Sequence, residues 1–154
     1  MGIDPSGNLK VLADGDALGL AVPGQGGYVL YAGVRARNLQ ACGVTMSAQL
    51  VDGTTGQSLT GLDQRQSDLT TPSGDYFLPA NDELLFALPN IPACPDPLGK
   101  GVQGKSIVLQ VTVTDRTRSK AATVRVNVVP TCPQSLQANC QCVCGPNYQA
   151  GSCP

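Results

Sequence analysis

Four segments of the chain alternate apolar and polar side chains with a period of two, and this pattern restricts the fold more than any other feature. The segments are residues 28–36, 44–50, 107–113 and 124–128. Successive side chains of a β-strand point to opposite faces, so each segment can bury one face and expose the other. An amphipathic helix needs apolar residues every three to four positions instead. The pattern therefore predicts an all-β protein.

Weaker strand patterns and turn signals occupy much of the remaining chain. Further strands are expected at residues 9–13, 17–22 and 83–88, with a short one near 58–62 or 75–78. Gly and Pro together supply 30 residues, which favours short strands joined by turns over long helices. No helix longer than a turn or two is predicted. Residues 89–105 hold four prolines and three glycines, and we expect them to form an irregular loop.

The later strands resemble those of bacterial immunoglobulin-like domains. The run Ser-Ile-Val-Leu-Gln-Val-Thr-Val-Thr-Asp at 106–115 follows a proline-rich connection, and residues 122–129 provide its hairpin partner. The resemblance covers residues 9–130 and implies an antiparallel two-sheet immunoglobulin-like β-sandwich. It also implies extracellular modules or lipoproteins with non-enzymatic roles in adhesion, display or spacing. The chain departs from antibody domains, because it lacks their core Trp and an evident cysteine pair between strands B and F.

These patterns divide the chain into three parts. Residues 1–8 are expected to be a disordered or expression-derived start, and a leader before Met1 is expected to have been removed. Residues 9–130 form the immunoglobulin-like sandwich. The alternation stops after Pro130, and residues 131–154 are polar and rich in Cys. We expect them to form an irregular, disulfide-stapled tail outside the sandwich.

Seven cysteines are many for 154 residues, and five of them lie between Cys132 and the end of the chain. Such clustering is typical of disulfides in an oxidising compartment, so an extracytoplasmic location (periplasmic, cell surface or secreted) is predicted. Cys42 is expected to be the odd thiol. The disulfide candidates are Cys94, Cys132, Cys140, Cys142, Cys144 and Cys153.

The immunoglobulin-like strand order gives expectations for the pairing. It places Cys42 at one end of the sandwich and Cys94 at the other, where the tail begins. Because a disulfide needs Cα atoms within about 7 Å, Cys94 is expected to pair with Cys132 or Cys140. A bridge between Cys42 and Cys94 is the competing interpretation and needs a different strand order.

The end of the tail, residues 142–153, resembles the second half of an epidermal-growth-factor-like module. There, a C-x-C motif is followed by an aromatic residue, a Gly and a final Cys, here Cys142-Val-Cys144, Tyr148, Gly151 and Cys153. The resemblance implies a bridge between Cys144 and Cys153.

Cation sites are the alternative interpretation of these motifs. The Cys140-x-Cys142-x-Cys144 run, with Cys132 as a fourth ligand, could bind zinc or copper through thiolates, but the chain has no C-x-x-C motif and no His. We therefore predict no bound transition metal.

Two acidic clusters and a glycine-rich segment are weaker candidates. Asp14-Gly15-Asp16 and Asn81-Asp82-Glu83 could offer oxygen ligands to calcium, but neither has the spacing of an EF-hand loop. We expect them to cap turns. Residues 24–27 are followed by a predicted strand rather than the helix that a phosphate-binding loop requires, so a turn is expected there.

Composition excludes several classes of function. Without His, neither a Ser-His-Asp nor a Cys-His mechanism is possible. A net charge of -1 offers no basic surface for nucleic acid, and no apolar run is long enough for a membrane span. We therefore expect a non-catalytic interaction or structural module of a bacterial secreted or cell-surface protein. It needs no cofactor, and its partner is an unknown protein or a cell-surface glycan. The alternatives are a calcium- or carbohydrate-binding domain, or a Cys-rich hydrolase inhibitor that presents residues 89–105 or the tail.

Overall fold

The computed structural model describes residues 1–39, 43–79, 87–96 and 98–154 and is built mainly of β-strands, which confirms the predicted all-β class. A 3₁₀ turn (Gln134–Leu136) leads into the helix α1 (Gln137–Val143). The described strands are β1 (Gly2–Ile3), β2 (Leu9–Lys10), β3 (Asp16–Ala21), β4 (Tyr28–Tyr31), β5 (Val44–Val51), β6 (Asp63–Ser67), β7 (Thr71–Ser73), β8 (Tyr76–Leu78), β9 (Asn90–Cys94), β10 (Ile107–Asp115) and β11 (Lys120–Thr131).

Seven strands form one mixed sheet in the order β6-β5-β10-β11-β3-β4-β9. All neighbours are antiparallel except β11 and β3, which are parallel. Strand β3 changes partner along its length: Leu18 and Gly19 pair with β11, whereas Leu20 and Ala21 pair with β4. The sheet therefore turns at β3 rather than continuing flat.

The two end strands of this order meet. Arg65 in β6 makes an ion pair with Asp63 at 2.8 Å between Nε and Oδ2. The same carboxylate oxygen accepts a hydrogen bond from the backbone N–H of Asn90 in β9 at 2.8 Å. These contacts nearly close the sheet around one core.

Burial along β5 and β10 follows the predicted alternation residue by residue. The two strands are antiparallel neighbours whose opposed residues point to the same face, such as Leu50 and Leu109 or Ala48 and Val111. Leu50 is 0 % exposed and Leu109 is 1 % exposed, so this face forms the centre of the core. Burying a Leu side chain contributes roughly 1.5–3 kcal/mol.

Strand β11 departs from the expectation of one uniformly buried valine face. Val128 is fully buried and Val126 is half-buried, but Val124 is 52 % exposed. Val124 lies opposite the buried Val111 and so shares the core-facing side of the sheet. The described residues therefore cover the core-facing side of β11 at Val128 but leave it largely uncovered at Val124.

Two strands of the seven-stranded sheet, β9 and β6, were not predicted. Residues 89–105 are not wholly irregular, because β9 occupies their first third and pairs with β4. Ile91 and Ala93 in β9 are buried, and Pro92 is tolerated because β9 ends the strand order. Strand β6 is polar and lacks the apolar alternation that would reveal it, and its pairing with β5 holds it in place. The strand predicted at 83–88 lies mostly outside the described residues.

Both ends of the chain are more ordered than their composition suggests. Strand β1 pairs with β2, Ile3 is buried, and Gly19 lies so close to Asp4 that a Cβ atom would not fit there. The tail is not irregular throughout, since α1 buries Cys140 and Val143 against the core. The tail therefore packs onto the sheet rather than lying outside it.

Among the described residues, helical structure is short, as predicted. With seven residues, α1 makes about two turns. Within the described ranges, no helix has the length and apolar character needed to cross a membrane.

Candidate functional site

Three disulfides fasten the tail, and together they use all six cysteines that the sequence singled out as disulfide candidates. Their Cα–Cα distances of 4.9 to 5.7 Å lie in the ordinary range for such bridges. Cys42 lies outside the described residues. The bridges are Cys94–Cys144, Cys132–Cys140 and Cys142–Cys153. They indicate an oxidising compartment.

The expected partner of Cys94 was wrong. Cys94 bonds Cys144, whereas Cys132 bonds Cys140. The helix explains the difference, because residues four apart lie on one face. Cys144 directly follows α1, its N–H donates to the Cys140 carbonyl, and the two Sγ atoms lie 3.9 Å apart on the side that packs on the core. Cys132 immediately precedes the helical segment and reaches Cys140, which leaves Cys144 for the sheet.

The bridge implied by the growth-factor resemblance, Cys144–Cys153, was also wrong. Cys153 bonds Cys142 instead. Cys142 lies two residues from both core-facing cysteines, and a two-residue step turns a side chain to a different side of a helix. It therefore joins the end of the chain rather than the sheet.

A hydrogen bond adds to the attachment of α1. The buried Tyr28 hydroxyl donates to Asn139 Oδ1 at 2.8 Å, and the Asn139 amide in turn donates to the backbone oxygen of Pro154. Burial raises the pKa of Tyr28, so the phenol stays protonated and remains a donor. Strand β4, α1 and the end of the tail are thereby linked.

The segment after Cys94 folds back on itself. The carboxylate of Asp96 accepts hydrogen bonds from the backbone N–H groups of Leu98 and Gly101. Lys105 Nζ donates to the Lys100 carbonyl at 2.8 Å. Val102, which is 2 % exposed, anchors the segment in the core.

Between this segment and the tail lies a cleft of about 730 Å³, which we call the tail cleft. The Cys94–Cys144 disulfide joins its two walls. The side chains that define its chemistry are Asp96, Lys100, Gln103, Lys105, Gln141 and Tyr148. Both amides, both ammonium groups and the phenol can donate hydrogen bonds to a ligand, while Asp96 is already engaged by the backbone. This combination suits the binding of a polar molecule.

This site was not predicted from the sequence. Its polar lining residues belong to no motif, and Tyr148 was singled out only as part of the growth-factor-like pattern. The one signal in the sequence was the cysteine framework, since Cys94 and Cys144 flank the two segments that form the walls.

The cysteines that were weighed as a thiolate metal site form disulfides. The sulfur atoms of Cys132, Cys140 and Cys144 lie within 4.8 Å of one another, and theirs is the one such group of metal-ligating side chains in the described part of the chain. All three sulfurs are bonded to another sulfur. A disulfide sulfur is not a thiolate, which is the form that binds zinc or copper.

Protein donors engage both candidate calcium ligands near the start of β3, but only Asp16 caps its own turn as expected. Asp14 Oδ1 accepts hydrogen bonds from the backbone N–H and side-chain amide of Asn127. Asp16 accepts from the Ala13 N–H at 2.8 Å and pairs with Lys10 at 2.9 Å. The Ala13 hydrogen bond, followed by that of Lys10, lowers the pKa of Asp16. Asn81, Asp82 and Glu83 lie outside the described residues.

The glycine-rich segment at 24–27 joins β3 to β4 as a turn. The Gly26 N–H donates to the Pro23 carbonyl at 3.1 Å, and a strand follows. A helix N-terminus, which would supply converging N–H groups to a phosphate, does not follow it.

Comparison with known proteins adds no relative. Neither a scan against protein-family models nor a search of the curated proteins finds a match for this chain. The chemistry of the tail cleft therefore has to be inferred from its own residues.

Proposed function

We propose that this protein is a non-catalytic extracytoplasmic interaction module that binds a cell-surface glycan in the tail cleft. The observation that carries the proposal is the cleft itself, whose walls are joined by the Cys94–Cys144 disulfide. Its volume of about 730 Å³ is within the usual range for ligand sites and larger than a single sugar needs. A cleft whose walls are joined by a disulfide loses less conformational entropy when it binds than one with unlinked walls.

The lining suggests the class of glycan. Gln103 and Gln141 can each donate to and accept from sugar hydroxyls, and Tyr148 lines the cleft with an aromatic side chain that can contact a sugar. Lys100 and Lys105 add positive charge. An oligosaccharide that carries carboxylates, such as one with uronic acid units, satisfies both features.

The fold that we propose is an immunoglobulin-like β-sandwich. In this assignment β6, β5, β10 and β11 form one sheet and β4 and β9 form the other. Strand β3 contributes to both, because its two halves pair with β11 and β4. Such sandwiches commonly serve as extracellular modules, which agrees with the disulfides. A bacterial secreted, periplasmic or surface-anchored setting remains our proposal for the location.

The absence of enzymatic activity is part of the proposal. The chain has no His, and the carboxylate that lines the tail cleft accepts two backbone hydrogen bonds. These two hydrogen bonds give the Asp96 carboxylate a structural role in holding the turn. The same residues are well placed for binding, which requires no proton transfer.

A glycan array followed by titration calorimetry tests the proposal. Oligosaccharides with carboxylates should bind, and neutral analogues should bind more weakly. Tyr148→Ala should weaken binding by roughly tenfold or more, because it removes the aromatic wall. Gln149→Ala, at an exposed neighbour outside the lining, should leave affinity unchanged.

Two results would overturn this function. One is binding that Tyr148→Ala and the Lys100→Met, Lys105→Met pair leave intact. The other is turnover of any member of a broad substrate panel by the purified protein.

A further inference from the structure

Among the strands that the structure describes, β11 has a partner on only one side over much of its length. Strand β10 pairs with residues 120–128, but β3 on the opposite side pairs only with residues 128–131. Within the described ranges, no strand pairs with this second side of residues 120–127. We call residues 120–126 on this side the open edge. It lies at the opposite end of β11 from the tail.

The backbone direction along the open edge follows from Asn127. Its N–H donates to Asp14 Oδ1 at 2.8 Å, and its carbonyl accepts from the Gly15 N–H at 2.9 Å, so both groups point away from β10. Backbone direction alternates along an antiparallel strand. The N–H and carbonyl groups of Ala121, Thr123 and Arg125 therefore point outward as well.

An apolar groove borders the open edge. It has a volume of about 380 Å³, and its apolar wall includes Val11, Leu12, Val34, Val124 and Val126. Val11 and Val124 are each 52 % exposed, which is unusual for Val124 because it lies on the core side of the sheet. A strand added to the edge would place every second side chain into this groove.

The charges around the edge are mainly positive. Arg35 lines the groove with its guanidinium carbon 4.7 Å from the centre of the Tyr76 ring. Arg125 directs its side chain to the other face of β11, where its Nε donates to Gln110 Oε1 at 2.8 Å. The one acidic residue among the described lining residues, Asp14, is engaged by Asn127. Positive charge at an edge also opposes pairing between two copies of the same strand.

We infer that the open edge binds an extended segment of a partner protein in which apolar and acidic side chains alternate. The segment would add a strand to β11, with main-chain hydrogen bonds to Ala121, Thr123 and Arg125. Its apolar side chains would enter the groove beside Val124. Its acidic side chains would lie on the other face, near Arg125. The surface is distinct from the tail cleft and does not depend on glycan binding.

A synthetic peptide of seven residues, with alternating Glu and Val and blocked ends, is the probe. Hydrogen exchange followed by NMR should show that saturating peptide protects the amides of Ala121, Thr123 and Arg125. A matched peptide with Lys in place of Glu should bind at least about tenfold more weakly. Reversal of this preference by Arg125→Glu would support the assigned face.

Two substitutions at one position separate strand addition from other modes of binding. Thr123→Pro removes the outward N–H and blocks pairing, whereas Thr123→Val keeps it. Both remove the Thr112–Thr123 hydroxyl hydrogen bond of 2.8 Å, so they share that loss. The peptide should bind Thr123→Val normally and Thr123→Pro roughly tenfold or more weakly. Unchanged protection of β5 amides would show that the proline variant is folded.

Three outcomes would overturn the inference. The first is no protection of the three amides at saturating peptide. The second is equal affinity of the Pro and Val variants. The third is protection of the edge without peptide that rises with protein concentration, since a second copy would then occupy it.

Discussion

Strands β5 and β10 bury a continuous face of aliphatic side chains, whereas residues 131–154 bury only Cys132, Cys140 and Val143 completely or nearly so. The two strands pair along almost their whole length and contain no cysteine. The tail contains no charged residue, little aliphatic surface and five cysteines, all of them in disulfides. One region is stabilised by packing and the other by covalent bonds.

The difference shows how a short polar segment can form part of a binding site. Ordering a residue costs about 1–2 kcal/mol of backbone entropy, and buried apolar surface normally offsets that cost. The tail buries too little apolar surface to offset this cost. Its disulfides must therefore lower the cost by restricting the unfolded chain. A cleft with one wall on the sheet and one on the tail therefore depends on the disulfides more than the sheet does.

The largest expected effect comes from the centre of the sheet. Leu109→Ala should lower the free energy of unfolding by about 2–5 kcal/mol, because Leu109 is buried and its removal leaves a cavity. Leu62→Ala is the control, since Leu62 is 60 % exposed and should change stability by less than about 0.5 kcal/mol. Urea denaturation measures both. Similar losses in the two variants would contradict the assigned core.

The next largest effect should come from the bridge between sheet and tail. Replacing Cys94 and Cys144 together by Ala removes a link across 50 residues, for which the chain-entropy relation gives about 4 kcal/mol. The same change at Cys142 and Cys153 opens a loop of 11 residues and should cost about 3 kcal/mol. Thermal and urea unfolding of the two double variants compare them. A larger loss for the shorter loop would show that the bridge to the sheet is not the dominant one.

A single cysteine should remain reactive. Six cysteines pair with one another, so alkylation of the unreduced protein is expected to label Cys42 alone. Peptide mapping by mass spectrometry reads out the label, and Cys42→Ser should abolish it. A cross-linked peptide that joins Cys42 to Cys94 would refute the pairing.

A smaller effect is expected where the sheet and α1 share a hydrogen bond. Tyr28→Phe removes the donor to Asn139 and should cost about 0.5–1.5 kcal/mol. In a double-mutant cycle with Asn139→Ala, the double variant should lose less than the sum of the two single losses. Strict additivity would mean that this hydrogen bond does not couple the two regions.

The smallest expected effect is on the melting temperature in acid. It should arise from the sheet region, because the tail contains no charged residue. Hydrogen bonds from Thr55 and Thr54 lower the pKa of Asp52 in the folded state, so its ionised form stabilises the fold above its ordinary pKa. That contribution is lost as the pH falls through the lowered value. Asp52→Asn should therefore flatten the fall in melting temperature below about pH 4. A parallel pH profile for the variant would contradict this.

The sequence was most informative where one interaction alone determines the structure. Apolar-polar alternation identified β5 and β10, because a strand with one buried face requires an apolar side chain at every second position. Alternation did not identify β6, because its residues are polar and it is held by pairing with β5. It also did not identify β9, because Pro92 argued against a strand there, although a proline is tolerated in the last strand of the order. The disulfide partners in the tail depend on the helical turn that brings Cys140 and Cys144 to one side. Because no helix was expected in the tail, these partners were mispredicted. Residues of the tail cleft, such as Lys100 and Tyr148, converge only through a disulfide whose partners were mispredicted.

Hydrogen exchange of the oxidised and the reduced protein tests most directly whether packing stabilises the sheet and disulfides stabilise the tail. The amides of β5 and β10 should stay protected after reduction by a dithiol, since their core needs no sulfur bond. Those of α1 should lose protection, and glycan binding in the tail cleft should be lost with them. If instead β5 and α1 lost protection together, the sheet would depend on the disulfides as much as the tail does, which would contradict the division between a packed sheet and a covalently fastened tail.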